Sequence, residues 1–174
     1  AAVKRYNFYR GVQLNTNYSE MGHQAMDSFD LKIRYPHHVN RNEIDHLGAF
    51  DLATILTKFD EMAWRQQLVR QLQLNGSDTS FIVTDGYSGQ TLSITLDAFA
   101  KSQQLEFKLE SDIPVIIPKK DVFGLVTRKT KDMVSFRQLS LARAKDYLIA
   151  FLNREIATLE EMYKENLAKS NKNS

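Results

Sequence analysis

The chain has 174 residues, and 23 Lys and Arg against 21 Asp and Glu leave a formal charge of +2 with the four histidines neutral. At 43% hydrophobic and 25% charged the composition is that of a folded domain, which excludes a wholly disordered chain and a polybasic nucleic-acid tail. No cysteine is present, so disulfide frameworks, thiolate zinc sites, iron–sulfur clusters and thiol catalysis are excluded as well.

The length suits a single α+β domain over 1–167, followed by a flexible polar tail over 168–174. No apolar run approaches the roughly 18 residues of a membrane span. The start, Ala1 to Gly11, is aromatic and basic rather than apolar, so no signal peptide is visible and a soluble, cytoplasmic protein is favoured.

Tyr6, Phe8, Val12 and Leu14 share a parity and predict a first half-buried strand. Phe29, Leu31, Ile33 and Tyr35 alternate with Asp30, Lys32 and Arg34 and predict a second, stopped by Pro36. From Asn42 the period becomes helical: Leu52, Ile55, Leu56, Phe59, Met62 and Ala63 form one stripe of a helix running to about Leu74, with Gly48 as a break near its start and Asp51 as a cap. Trp64, Leu68 and Leu72, four apart, lie on a second face. That face either enters the core between layers or meets another chain.

Strands are then expected at Ser80 to Asp85, Leu92 to Leu96 across the Gly86-Tyr87-Ser88-Gly89 turn, and Leu105 to Leu109. Ile113 to Ile117 lies between Pro114 and Pro118, which suits an edge. Val122 to Thr130 and Met133 to Phe136 are expected to pair through a Lys129-Thr130-Lys131-Asp132 turn. Ser140 caps a helix of about 27 residues in which Leu141, Leu148, Leu152, Ile156, Leu159, Tyr163 and Leu167 recur at helical spacing. The expected fold is therefore α+β: an antiparallel sheet of about six to eight strands with two long amphipathic helices packed on one face.

The chemistry-bearing residues are sparse. His23, His37, His38 and His46 are the only imidazoles, and their spacing matches no ligand motif. There is no Gly-x-Ser-x-Gly element and no glycine-rich phosphate loop; Asp60-Glu61 and Glu160-Glu161 read as solvated helix surface. No cofactor, metal or catalytic residue is implied. Basic residues cluster instead: Lys4, Arg5 and Arg10 interleave with Tyr6, Phe8 and Tyr9, while Lys119-Lys120 and Arg128-Lys129-Lys131 lie near strand ends. Rings flanked by cations are how single strands are bound, by base stacking and phosphate contact.

Val83-Thr84-Asp85 with Ser88-Gly89, followed by Val134-Ser135-Phe136-Arg137-Gln138-Leu139-Ser140 and a helix, loosely resembles PilZ domains over the second half of the chain. The resemblance implies binding of cyclic-di-GMP. The family's Arg-x-x-x-Arg pair is missing, and no binding residue is carried over. The leading expectation is a non-catalytic binding or assembly protein that self-associates through its long helices, with Trp64, Leu68, Leu72, Leu159 and Tyr163 in contact. The alternative is a single-stranded nucleic-acid binder using Lys4, Arg5, Arg10, Arg128, Lys129 and Lys131.

Overall fold

The structure, a computed structural model, describes residues 27–40, 42–74, 77–97, 105–120 and 127–170. The strand expected at Tyr6 to Leu14 lies outside the described residues. Within them, six strands form one antiparallel sheet: β1 Phe29–Arg34, β2 Asp45–Phe50, β3 Ser80–Asp85, β4 Thr91–Leu96, β5 Phe107–Lys120 and β6 Thr127–Leu139. Their spatial order is β2-β1-β3-β4-β5-β6. Four helices complete the described residues: α1 Leu52–Asp60, α2 Trp64–Leu74, α3 Leu141–Leu152 and α4 Ile156–Ser170. No described helix is long and apolar enough to cross a membrane.

The alternation of apolar and polar residues sets which face is covered. Leu31 is paired with Val83, Val83 with Leu92, Phe81 with Ile94, and Ile94 with Leu109. All of these are buried, so one face is a continuous apolar row. The helices lie on that face: Phe59 meets Phe81 at 5.2 Å between ring centroids, Trp64 meets Phe107 at 5.1 Å, and Phe151 meets Phe29 at 6.4 Å. The opposite face carries Asp30, Lys32 and Lys108, with the hydroxyl pairs Ser80–Thr95 and Thr84–Thr91 joining neighbouring strands at 2.9 and 3.0 Å. Such cross-strand pairs stabilise a wet face by a few tenths of a kcal/mol, ~0.2–1 each.

Three expectations are corrected. The segment from Asn42 is not helical at its start, because Asp45–Phe50 pairs with β1 as an edge strand. Leu31 opposes Gly48 and Lys32 opposes His46, which leaves Leu47 as the extra residue of a bulge, and Gly48 takes φ 101° there. Glycine adopts that angle at little steric cost. The two expected long helices are four shorter ones. The first breaks at Ala63 (φ 48°) and the last at Arg154 (φ 58°), each a left-handed residue between helices. The expected caps do hold, with Asp51 Oδ1 accepting from the Thr54 amide at 2.8 Å and Ser140 Oγ from the Arg143 amide at 3.3 Å.

The third correction concerns β5 and β6. Lys129-Thr130-Lys131-Asp132 is strand rather than turn, paired residue by residue with Pro118 to Val115, and the connection lies outside the described residues. Strand β4 pairs β5 only from Phe107 to Ser111. Beyond Ser111, β6 is the one strand partner of β5 among the described residues. The two strands therefore continue past the sheet as a ribbon, about nine residues long on β5, or ~30 Å at the usual rise. Pro114 and Pro118 occupy the same row of a strand with one open edge, where a missing amide need cost no ladder bond.

Candidate functional site

The ribbon is built from two alternating rows. One row faces the helices: Ile113 and Val115 are buried, Ile117 packs against the core, and Asp132 accepts a 2.7 Å hydrogen bond from the Tyr163 hydroxyl of α4. Burial, followed by the Asp132 carboxylate beside it, pushes the Tyr163 hydroxyl above its ordinary range. This bond ties the root of the ribbon to the last helix. The other row faces outward and pairs Pro114 with Met133, Ile116 with Lys131 and Pro118 with Lys129. Ile116 is 60% exposed and Met133 42%.

Charge is distributed along the ribbon unequally. Its acids lie towards the sheet and are engaged: Asp112 accepts from the Thr91 amide at 2.7 Å, and Asp132 holds Tyr163. Across 117–120 and 127–131 every charged residue is a cation, namely Lys119, Lys120, Arg128, Lys129 and Lys131. Arg128, Lys129 and Lys131 are exposed, and their side chains make no hydrogen bond or ion pair among the described residues. Their charge is therefore available to an external anion, and it is set on a backbone paired with β5.

The expected site residues separate into groups. Arg128, Lys129 and Lys131 are brought together on β6, whereas Lys4, Arg5 and Arg10 lie outside the described residues. Trp64 is 4% exposed, and its indole Nε1 donates to the Phe59 carbonyl at 3.1 Å; Leu159 and Tyr163 are also buried. These three belong to the chain's own core. Leu68 is half-buried against that core. Leu72 alone of the five is openly exposed, at 60%, and Val69 and Leu74 on the same helix are exposed with it. The residues overlooked in the sequence are Pro114, Ile116 and Pro118. Their spacing by two marked one face of a strand, but the prolines drew attention to an edge instead.

His38 is buried, with Nδ1 accepting from the Tyr35 amide at 3.1 Å and Nε2 3.2 Å from Asp45. A backbone amide donating to Nδ1 requires the ring proton on Nε2, which then faces the carboxylate. His37 stacks on Tyr35. Among the described residues no three His, Asp or Glu side chains gather as a metal site would require.

Asp85 and Ser88, part of the PilZ resemblance, are occupied within the chain. The Asp85 carboxylate accepts from the Tyr87 and Ser88 amides, the Ser88 hydroxyl and the Arg154 guanidinium. No protein-family model, curated protein or solved structure matches this chain.

Proposed function

We propose that the protein binds nucleic acid through the β5–β6 ribbon. The observation that carries this reading is the far half of the ribbon, where the described strands carry five cations and no acid and the outward row adds exposed Ile116 and Pro118. A two-stranded ribbon fits a duplex major groove about 12 Å wide. Apolar and proline side chains on such arms can contact or wedge base steps. The described ribbon offers no exposed aromatic ring, so phosphate and groove contact with a duplex is favoured over base stacking on a single strand. Its edges are also poor templates for a partner strand, with prolines on one and lysines on the other.

Fluorescence anisotropy with a labelled duplex and the matching single strand tests this. Binding should weaken steeply with salt, with a slope of about −0.9 per neutralised phosphate. Replacing Arg128, Lys129 and Lys131 together by alanine should weaken duplex binding by at least about tenfold and flatten that slope. Absence of binding at low salt removes the reading, and preference for the single strand returns it to a stacking mode.

Contact with a second copy of the chain is the other reading, favoured by Val69, Leu72 and Leu74, each more than half exposed on α2. It predicts a solution mass that rises with concentration and returns to one chain in a Leu72→Glu variant. A mass that stays at one chain removes it.

A further inference from the structure

A second feature lies at the opposite end of β6 from the ribbon tip. There the strand's last residues, the first turns of α3 and the outer turns of α4 enclose an open cavity of about 370 Å³. Its lining brings Arg137, Arg143 and Lys169 around one mouth, with Glu165 as the single acid. Arg137 and Lys169 have no hydrogen bond or ion pair among the described residues. Arg143 approaches Asp146 only at 4.0 Å, and both side chains are 58% exposed. A pair so exposed neutralises little.

Helix α3 is 12 residues long, and its first turn contains no acidic residue. That turn is capped by Ser140, and the helix contributes Tyr147 and Arg143 to the lining. Its guanidinium is held over the Tyr147 ring, 5.7 Å from the centroid, while that ring stacks on Phe136 at 4.2 Å. The cation therefore rests over a buried aromatic pair while its side chain stays 58% exposed. At the rim Gln138 takes φ 56° in the bulge where β6 takes three steps, Phe136 to Leu139, against two of β5.

We infer that this cavity binds the phosphate of a small sugar or nucleoside monophosphate. The three cations of the lining, Arg137, Arg143 and Lys169, would meet the phosphate with charge-assisted hydrogen bonds. Glu165, also in the lining, would accept from a hydroxyl of the attached sugar. The volume lies at the low end for small-molecule sites, about 300–1,000 Å³, which suits one nucleotide rather than two. The site is independent of the ribbon: Arg137 is eight residues along β6 from Lys129, roughly 27 Å at strand rise.

Titration of the full chain with AMP, followed by calorimetry and amide chemical shifts, tests the assignment, with adenosine as the uncharged comparison. AMP should bind saturably with shifts centred on 137–143, and adenosine should bind at least about tenfold more weakly. Arg143→Gln and Arg137→Gln should each weaken AMP about tenfold while leaving the circular dichroism spectrum unchanged, since both residues are exposed. A variant lacking Arg128, Lys129 and Lys131 should bind AMP as well as the parent chain, which keeps this result separate from duplex binding. No saturable response at about 10 mM AMP, equal binding of adenosine, or wild-type affinity in both glutamine variants would overturn the assignment.

Discussion

Ala63 and Arg154 are two solutions to the same problem. Each sits between two helices that the sequence reads as one, and each adopts a left-handed backbone although neither is glycine. The conformation costs on the order of 1 kcal/mol or more, so something beyond local preference must hold it. At Ala63 the restraint is apolar. Trp64 inserts between Phe59 and Phe107, and its indole N–H adds a hydrogen bond to the Phe59 carbonyl, which also accepts from the Met62 amide at the end of α1. At Arg154 the restraint is ionic. The Arg154 and Glu155 amides close α3 on the Phe151 and Ala150 carbonyls at 2.9 Å, and the Arg154 side chain reaches Asp85 across the β3–β4 turn and Asp27 before β1. A helix break therefore need not be encoded by a helix breaker; an anchor elsewhere in the fold is enough.

The largest expected effect comes from removing the apolar anchor. Trp64→Ala should lower unfolding stability by about 3–5 kcal/mol in a denaturant titration, the usual range for a large buried aromatic. Trp64→Phe keeps a ring against Phe59 and Phe107 but drops the hydrogen bond, and should cost about 1 kcal/mol plus a smaller packing loss. Equal losses in the two variants would show that the indole N–H, rather than ring burial, holds the α1–α2 break.

Next in size is the ionic anchor. Asp85 is 2% exposed, so Arg154→Ala leaves a buried carboxylate with only the Tyr87 and Ser88 donors. A loss of about 2–3 kcal/mol is expected, below the full value for a broken buried pair because those donors remain. Arg154→Lys retains the charge without the fork and should fall between the parent and the alanine variant.

These two anchors also mark what was legible in the sequence. The strands at Phe29, Ser80 and Leu92 were readable because their alternation reports a one-sided sheet, and Asp51 and Ser140 were readable because capping is local. Edge strand β2 was not, since Asp45–Phe50 has no clean alternation and forms by pairing with β1. The breaks at Ala63 and Arg154 were hidden for the same reason: their causes are Phe107 and Asp85, far away in the chain. The candidate sites follow this pattern. Arg128, Lys129 and Lys131 showed as a basic cluster because they are neighbours, although pairing with β5 made them strand. Arg137, Arg143 and Lys169 come from three elements, and each alone reads as an ordinary surface cation.

The anchors should separate by pH as well. Burial by itself raises the Asp85 carboxyl, but the Arg154 guanidinium and the Tyr87 and Ser88 donors outweigh it and hold the carboxyl below the usual range. A carboxyl depressed in the folded state contributes stability that is fully present above its unfolded value, about 3.9, and lost as pH falls through the lower folded value. Stability measured downward from about pH 5 should therefore decline in the parent chain. The decline should persist in Trp64→Phe and flatten in Arg154→Ala. An unchanged slope in Arg154→Ala would assign the acid sensitivity to other carboxylates.

The smallest effect separates backbone strain from anchoring. Ala63→Gly removes a Cβ from a left-handed residue and leaves the Trp64 contacts in place, so it should stabilise the chain by about 0.5–1 kcal/mol. The same relief is available at 154, where the side chain matters. Arg154→Gly should be more stable than Arg154→Ala by that margin and still less stable than the parent, because the strain is relieved while the Asp85 fork is lost. If Arg154→Gly matched or exceeded the parent, the fork would contribute nothing beyond offsetting the strain of its own backbone, and the α3–α4 break would need another cause. If Ala63→Gly proved destabilising, the added freedom of the unfolded chain would outweigh the relieved strain, and the αL cost at this junction would be smaller than that at 154.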